Sequence, residues 1–412
     1  MYDFANSAFT TLVVTFVYAA FFTKGIALDE TSGTKLWSMG ITISAVIIAL
    51  LSPFMGAMAD RGGYRKRYLA IATIICIAAT TVLFFPQKGQ VYFAMTVFII
   101  ANVAFEMANV FYNAFLPDIA PPDRIGRVSG TGWALGYIGG LLCLVAGLVL
   151  FIQPDPALFG LDVSTNANIR ATNLLVAGWF ALFSIPMFLL VKDEPVLNPP
   201  PAGQLIREAK QDLIRVFKEI RNYRQVFRLL VARLVYNDAL ITIFGFGGVY
   251  ATVVFDFTLK DVIIFGIALN LAAGFGAWAL GHLDDKFGGK TTILISIVGL
   301  IGATLLAVFT TSVFWFWVSG IGVGLLAGPN QSASRSLLGR FTPESKENEF
   351  YGFFAFSGKF TAFLGPFLLG YMTEMFGNMR AGIAVVVILF ILGGVLLLRV
   401  DENEGKTSSG RV

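Results

Sequence analysis

Gly56-Ala57-Met58-Ala59-Asp60-Arg61-Gly62-Gly63 and Gly281-His282-Leu283-Asp284-Asp285-Lys286-Phe287-Gly288 are two versions of one charged loop, set 225 residues apart. Gly56 matches Gly281, Asp60 matches Asp285, Arg61 matches Lys286 and Gly63 matches Gly288. Further along, Leu116/Leu338, Pro121/Pro343, Gly130/Gly352 and Gly136/Gly358 share an offset of 222, as a three-residue shortening before a tenth helix would produce. Isolated glycine matches are cheap in a chain with 43 glycines. A Gly-x3-Asp-[Arg/Lys]-x-Gly loop recurring at the same place in each half is not. The chain reads as a duplicated unit, with one such loop in each copy.

What the loops connect follows from composition. Hydrophobic residues make up 56% of the 412 and charged residues 14%, against roughly 45–50% and about 25% in soluble proteins. The apolar total is close to the need of twelve spans of about 20 residues each. An integral membrane protein is expected. The net charge of +4 is too small, and its basic residues too confined to loops, to mark a nucleic-acid partner. One histidine (His282) and two cysteines (Cys76, Cys143) cannot build a His/Cys metal site or a disulfide framework, so no cofactor or metal is expected. Met1-Tyr2-Asp3 lacks the basic start of a cleavable signal.

Apolar runs place helices at 4–23, 36–59, 68–85, 91–115, 130–152 and 172–191, then at 227–254, 262–282, 291–309, 313–337, 350–373 and 380–399. The predicted fold class is an all-α integral membrane protein. Its twelve transmembrane helices form two pseudo-symmetric six-helix bundles, 1–191 and 227–399, with a linker 192–226 between them and a tail 400–412. If both termini are cytoplasmic, the inside segments hold 22 Lys and Arg and the outside loops 6. That asymmetry sets the orientation, in the cell membrane with both ends inside. The linker opens with Pro195, Pro199, Pro200 and Pro201. It then sets Leu205, Ile206, Ala209, Leu213, Val216, Phe217 and Ile220 at helical spacing among Arg207, Lys210, Arg215, Lys218 and Arg221. A basic amphipathic helix of this kind suits the lipids of the anionic inner leaflet.

The paired loops resemble the signature of the major facilitator superfamily, and twelve helices with a cytoplasmic linker agree. The resemblance implies that each loop aspartate sits near the positive start of a helix from the other half: Asp60 at helix eleven, near Phe350, and Asp285 at helix five, near Gly130. Gly56, Asp60, Arg61, Gly63, Gly281, Asp285, Lys286 and Gly288 would then form the gate. A narrower likeness rests on four stretches. They are Tyr2-Asp3-Phe4-Ala5-Asn6-Ser7-Ala8-Phe9, Arg127-Val-Ser-Gly130-x-Gly132-Trp133-Ala-Leu-Gly136-Tyr137, Ala232-Arg233-Leu-Val-Tyr236-Asn237-Asp238 and Ser334-Arg335-Ser336-Leu337-Leu338. These resemble the bacterial branch of the vacuole effluxer family, whose fungal members export amino acids from the vacuole. Members usually carry a polar segment before the Tyr-Asp motif, so a start inside it suggests either a late-assigned start or an N-terminal truncation.

Ionisable groups at membrane depth are costly and point to function. Glu106 lies about nine residues from the inner end of helix four, near 14 Å at 1.5 Å per residue. Asp238 in helix seven and Lys359 in helix eleven lie at similar depth, and Arg233 is shallower. Asn102, Asn109 and Asn113 share the face of Glu106, with Tyr112 beside it. In the family resembled, helices one, four, seven and ten line the central cavity. Asn6, Glu106, Asn109, Asn113, Arg233, Tyr236, Asn237, Asp238, Asn330, Gln331 and Lys359 are therefore the candidates for contacting a substrate or a proton. Interhelical hydrogen bonds, or structural Glu106–Lys359 and Arg233–Asp238 pairs, are the alternative.

No catalytic triad and no phosphate-binding Gly-x4-Gly-Lys-Ser/Thr loop occurs, so neither an enzyme nor an ATP-driven pump is expected. The sequence reads as a secondary carrier of a small polar solute, amino acids first, with proton coupling and a single chain as the working unit. A drug or lipid exporter and a non-transporting receptor are the other readings. The charge asymmetry makes the orientation testable. Single cysteines at Lys210 and Ser408 should react only with reagents that reach the cytoplasm, and one at Asn166 only from outside. The reverse labelling pattern overturns it.

Overall fold

Gly63 (φ 62°) and Gly288 (φ 90°) adopt backbone conformations that residues with a Cβ rarely reach, and each stops a long helix. These are α2, Glu30–Gly62, and α8, Leu259–Phe287. The structure, a computed structural model, describes residues 1–193, 201–218 and 223–410. Within them the chain is almost wholly helical. Before the linker come α1 Tyr2–Ile26, α2, α3 Arg65–Val82, α4 Val91–Ala114, α5 Ile125–Ile152 and α6 Ala167–Leu190. After it come α7 Arg224–Phe255, α8, α9 Gly289–Phe309, α10 Val313–Phe341, α11 in two segments, Glu347–Lys359 and Leu364–Phe376, and α12 Met379–Leu398. Eleven are long and apolar enough to cross a membrane. The twelfth, α3, is 18 residues long and is headed by Arg65, Lys66 and Arg67. Large apolar side chains face outward, among them Leu50, Leu190 and Phe309 at 72%, 78% and 78% exposure, as a lipid-facing surface requires.

Several helices depart from their apolar runs, α5, α10 and α11 among them. α5 starts at Ile125 instead of 130, and α10 continues to Phe341 instead of 337. Both extensions carry polar side chains that bond inside the protein, which hydropathy cannot register. α11 is expected to be continuous but breaks after Lys359 and restarts at Leu364. Pro366 falls in the first turn of the restarted segment, where its missing N–H leaves no intrahelical bond unmade.

The chain forms two compact units. The first comprises Met1–Leu51, Gly62–Tyr112 and Leu135–Pro199. Here α1 and α3 pack on α6. Tyr2 shares a buried hydrogen bond with Thr73 (2.7 Å), the Trp179 indole N–H donates to the Phe4 carbonyl (3.2 Å), and Gly139 lets α5 lie directly on the Phe4 backbone.

The second unit comprises Ser52–Arg61, Asn113–Ala134 and Pro200–Val412. It packs α10 against α8 and α9, and α12 against α7, α9 and the second α11 segment. One end is sealed by aromatic packing: Phe316 stacks on Phe255 (4.3 Å) and Phe265 (5.0 Å), and Tyr250 donates to the Ala307 carbonyl (2.9 Å). The linker helix runs Ala202–Lys218. Leu205 and Ala209 are buried within the protein, Ile206 is half exposed, and Glu208 pairs with Arg61 (3.4 Å). Part of the apolar face expected to lie on lipid is therefore covered by protein. The side chains of Leu213, Val216, Phe217, Lys218, Ile220 and Arg221, with Pro195, Pro199 and Pro200, lie outside the described residues. A short tail helix, Glu402–Ser409, closes the chain.

Candidate functional site

The first N–H groups of any helix lack intrahelical acceptors and carry partial positive charge. In the second unit both repeated loops exploit this. Asp60 Oδ1 accepts from the Asn348 backbone N–H (3.0 Å) and side chain (2.8 Å), and Oδ2 from the Glu349 N–H (2.7 Å), at the head of α11. Asp285 Oδ1 accepts from the N–H groups of Gly126 (2.8 Å) and Arg127 (3.2 Å), at the head of α5. The aspartates differ in number by 225 and their donors by 222, the two offsets of the internal repeat. The contacts are the same contact made twice.

Glycine makes the approach close enough. A Cβ on Gly56 would overlap the Asn348 carbonyl, one on Gly352 the Ser52 carbonyl, and one on Gly130 the Ala277 carbonyl, while Gly281 sits against Gly126 and Arg127. Ser52 and Ala277 are again 225 apart. Arg61 pairs with Glu208, and Lys286 lies beside the Phe287 ring (5.1 Å).

The two copies then diverge. Asp285 also meets Arg127 (3.4 Å) and Arg340 (3.6 Å). Asp284, almost fully buried, takes hydrogen bonds from Ser336 and from Arg340. Arg335, 4% exposed, donates through Nε to Ser129 Oγ (2.9 Å), through Nη2 to the Ser129 carbonyl (2.7 Å) and through Nη1 to Asn113 Oδ1 (3.2 Å). Glu402 of the tail helix accepts from Gly289 N (3.3 Å) and Lys290 N (3.0 Å), capping α9. Counting Lys and Arg treats Arg335 and Arg340 as loop charges. Their burial in α10 is legible only from their partners, although Ser334-Arg335-Ser336, a charge flanked by two hydroxyls, is a signal for it.

The membrane-depth candidates fall into two sets, one in each unit. In the first, Asn6 donates to Asn109 (2.8 Å), Ser7 to Asn6 (3.4 Å) and Tyr112 to Asp3 (2.8 Å). Glu106 is half-buried on the Asn109 face of α4, and Asn102 is taken by Ser44 (2.8 Å). In the second, Gln331 donates to Asn237 (3.0 Å), Asn237 to the Gly358 carbonyl (3.3 Å) and Asn330 to Ser296 (2.9 Å), while Tyr236 bonds Ser334 (2.8 Å). Arg233 donates to the Phe354 carbonyl (2.8 Å) and Ser357 (2.9 Å) and lies over the Phe354 ring (3.6 Å). The Arg233–Asp238 pair allowed by the sequence is not formed: Asp238 turns to Gly365 N (2.8 Å). Lys359 is half-buried at the end of the first α11 segment. Among the described residues no His/Cys/Asp/Glu group could hold a metal ion.

The family model described as "Vacuole effluxer Atg22 like" matches residues 30–410. The chain is 29% identical over 406 residues to an uncharacterized MFS-type transporter, YxiO, of Bacillus subtilis (strain 168), covering 98% of this chain and 94% of that one. It is 22% identical over 471 residues to autophagy-related protein 22 of Yarrowia lipolytica, covering 93% and 77%. Among solved structures it resembles the proton:xylose symporter XylE, a major facilitator superfamily protein (TM-score 0.71, 15% identity, 98% and 94% covered). It also resembles a bacterial homologue of the iron transporter ferroportin in its outward-facing state (TM-score 0.73, 11% identity, 97% and 96% covered).

Neutralising both loop carboxylates should loosen the four helix ends they hold, because each contact contributes about 1 kcal/mol or more. With Cys76 and Cys143 replaced, a cysteine at buried Ser332 should react with maleimide about tenfold faster in the Asp60→Asn/Asp285→Asn double variant at unchanged helicity. An unchanged rate removes the closing role from these aspartates.

Proposed function

Because the chain belongs to the vacuole effluxer Atg22-like family, we propose that it is a secondary carrier that moves a small polar solute, amino acids first, by alternating access. It is a multi-pass membrane transporter with the major facilitator fold. The observation that carries it is the duplicated aspartate-to-helix contact. A structure needed only for anchoring has no use for two equivalent ion–dipole contacts, each joining the loop of one half to a helix start of the other. A carrier that must close and reopen one side of its path does. Such contacts hold without covalent or extensive apolar bonding, so they can break and reform in each cycle.

Each deep polar set, taken by itself, offers groups that a small polar solute can bond. In the first unit, Glu106 among Asn6 and Asn109 suits an ammonium group. In the second, the amides Asn237 and Gln331, with Lys359 on the same unit's broken helix, suit a carboxylate. The bacterial relative and the 22-to-6 distribution of Lys and Arg favour the cytoplasmic membrane with both termini inside.

Glu106 is our candidate for coupling to protons. Proteoliposomes screened with labelled amino acids, sugars and peptides should accumulate an amino acid under a proton gradient, and an uncoupler should abolish the accumulation. Glu106→Gln, fixed in the neutral form, should lose uphill transport while retaining exchange. Uphill transport at the parent rate in Glu106→Gln eliminates the coupling role. Simultaneous loss of binding and exchange instead assigns Glu106 to the substrate ammonium.

A further inference from the structure

The break in α11 leaves the head of its second segment in need of acceptors from outside that helix. Leu364 N finds the Thr361 carbonyl (2.8 Å), and Gly365 N finds Asp238 Oδ2 (2.8 Å) on α7. The same face of α7 holds the break at three further points. Arg233 reaches Phe354 and Ser357, Asn237 reaches the Gly358 carbonyl, and the Leu234 carbonyl accepts from Thr361 Oγ1 (2.9 Å). Asp238 is 1% exposed, and its second oxygen, Oδ1, is buried with no hydrogen-bond donor among the described residues.

An ionised carboxylate so placed has one donor and no cation, a combination that burial penalises heavily. The surrounding charges do not supply one. On α7 itself Arg233 is directed at α11, and Arg224 and Arg228 stand at the far end. Arg335 and Arg340 of α10 bond Ser129 and Asp284. Arg380 of α12 donates to the Val308 and Thr310 carbonyls. On α11, Glu347 and Glu349 are at the head, Lys359 closes the first segment and Glu374 is exposed. Those of α8 sit at its ends, Lys260 and Asp261 at the head and Asp284, Asp285 and Lys286 at the tail, and the tail helix carries Glu402, Glu404 and Lys406.

We propose that Asp238 is a proton-binding site of this carrier, and that its proton controls how firmly α7 holds the second segment of α11. The inference rests on the reading of the chain as an alternating-access carrier. Protonated, Asp238 is neutral and suited to its burial. Ionised, it is a stronger acceptor for Gly365 N–H, since a charge roughly doubles such a bond. Proton loss therefore tightens the break, and proton gain frees it to bend. A single free oxygen suffices for a proton, whereas a hard metal cation takes about six oxygens.

The test is infrared difference spectroscopy of the full chain in lipid vesicles, stepped between about pH 5 and pH 9. The expected result is a protonated-carboxyl band that is lost as the pH rises and is absent from Asp238→Asn, which keeps the Gly365 N–H acceptor. If Asp238→Asn does not fold, ¹³C-aspartate protein carrying Asp238→Glu should lose the isotope-shifted band while retaining an acid at the site. A parent spectrum without the band, a band undiminished in the variants, or a band that titrates only when Na⁺ is withdrawn overturns the proposal. The measurement needs no substrate. A failed transport screen beside a titrating Asp238 therefore counts against the carrier reading alone, and a flat spectrum beside active transport counts against the site alone.

Discussion

The second unit is organised by a carboxylate resting on the exposed N–H groups of a helix start. Asp60 and Asp285 each bring four things together: a loop ended by a positive-φ glycine, a helix end with free donors, a pair of glycines that lets backbones touch, and the charge itself. None of the four is stable alone. A helix start without an acceptor wastes its donors, and a buried aspartate without donors would be costly. Together they satisfy one another, which explains why the duplicated chain retains the set in both halves.

Around that pattern the copies are unequal. Asp285 is reinforced by Arg127 and Arg340, Asp284 adds a second buried carboxylate on Arg340, and the tail helix caps α9 through Glu402. Among the described residues Asp60 takes three N–H donors, beside the Arg61–Glu208 pair. Buried ion pairs contribute little net stability but define one arrangement sharply. The Asp285 contact is thus reinforced by ion pairs, whereas the Asp60 contact is described by hydrogen bonds from a helix head.

The break in α11 extends the same logic to membrane depth. Where a helix is interrupted, its free backbone groups must be satisfied by neighbours. Here α7 supplies Leu234 as an acceptor, Arg233 and Asn237 as donors, and Asp238 as a carboxylate. The interruption and the buried acid require one another.

The sequence by itself determined the membrane class, the twelve-helix duplicated plan and the two repeated aspartate loops, because hydropathy, repeat offsets and glycine-aspartate spacing are local or periodic properties. It marked Asp238 and Arg233 as residues needing partners, since charge in an apolar run is visible without coordinates, and Asp60 and Asp285 through the repeated loop. Their partners were another matter. Arg233 could pair with Asp238 as far as spacing is concerned, yet α11 takes them separately, one at a carbonyl and one at an N–H. Arg335 and Arg340 look like positive-inside loop charges until α10 is seen to carry them into buried contacts with Ser129 and Asp284. The interruption of α11 after Lys359 is invisible to hydropathy because the residues across it are as apolar as those on either side. Only the tertiary structure decided these points, because a hydrogen bond between helices depends on which faces meet, and that is settled by the packing of all of them at once.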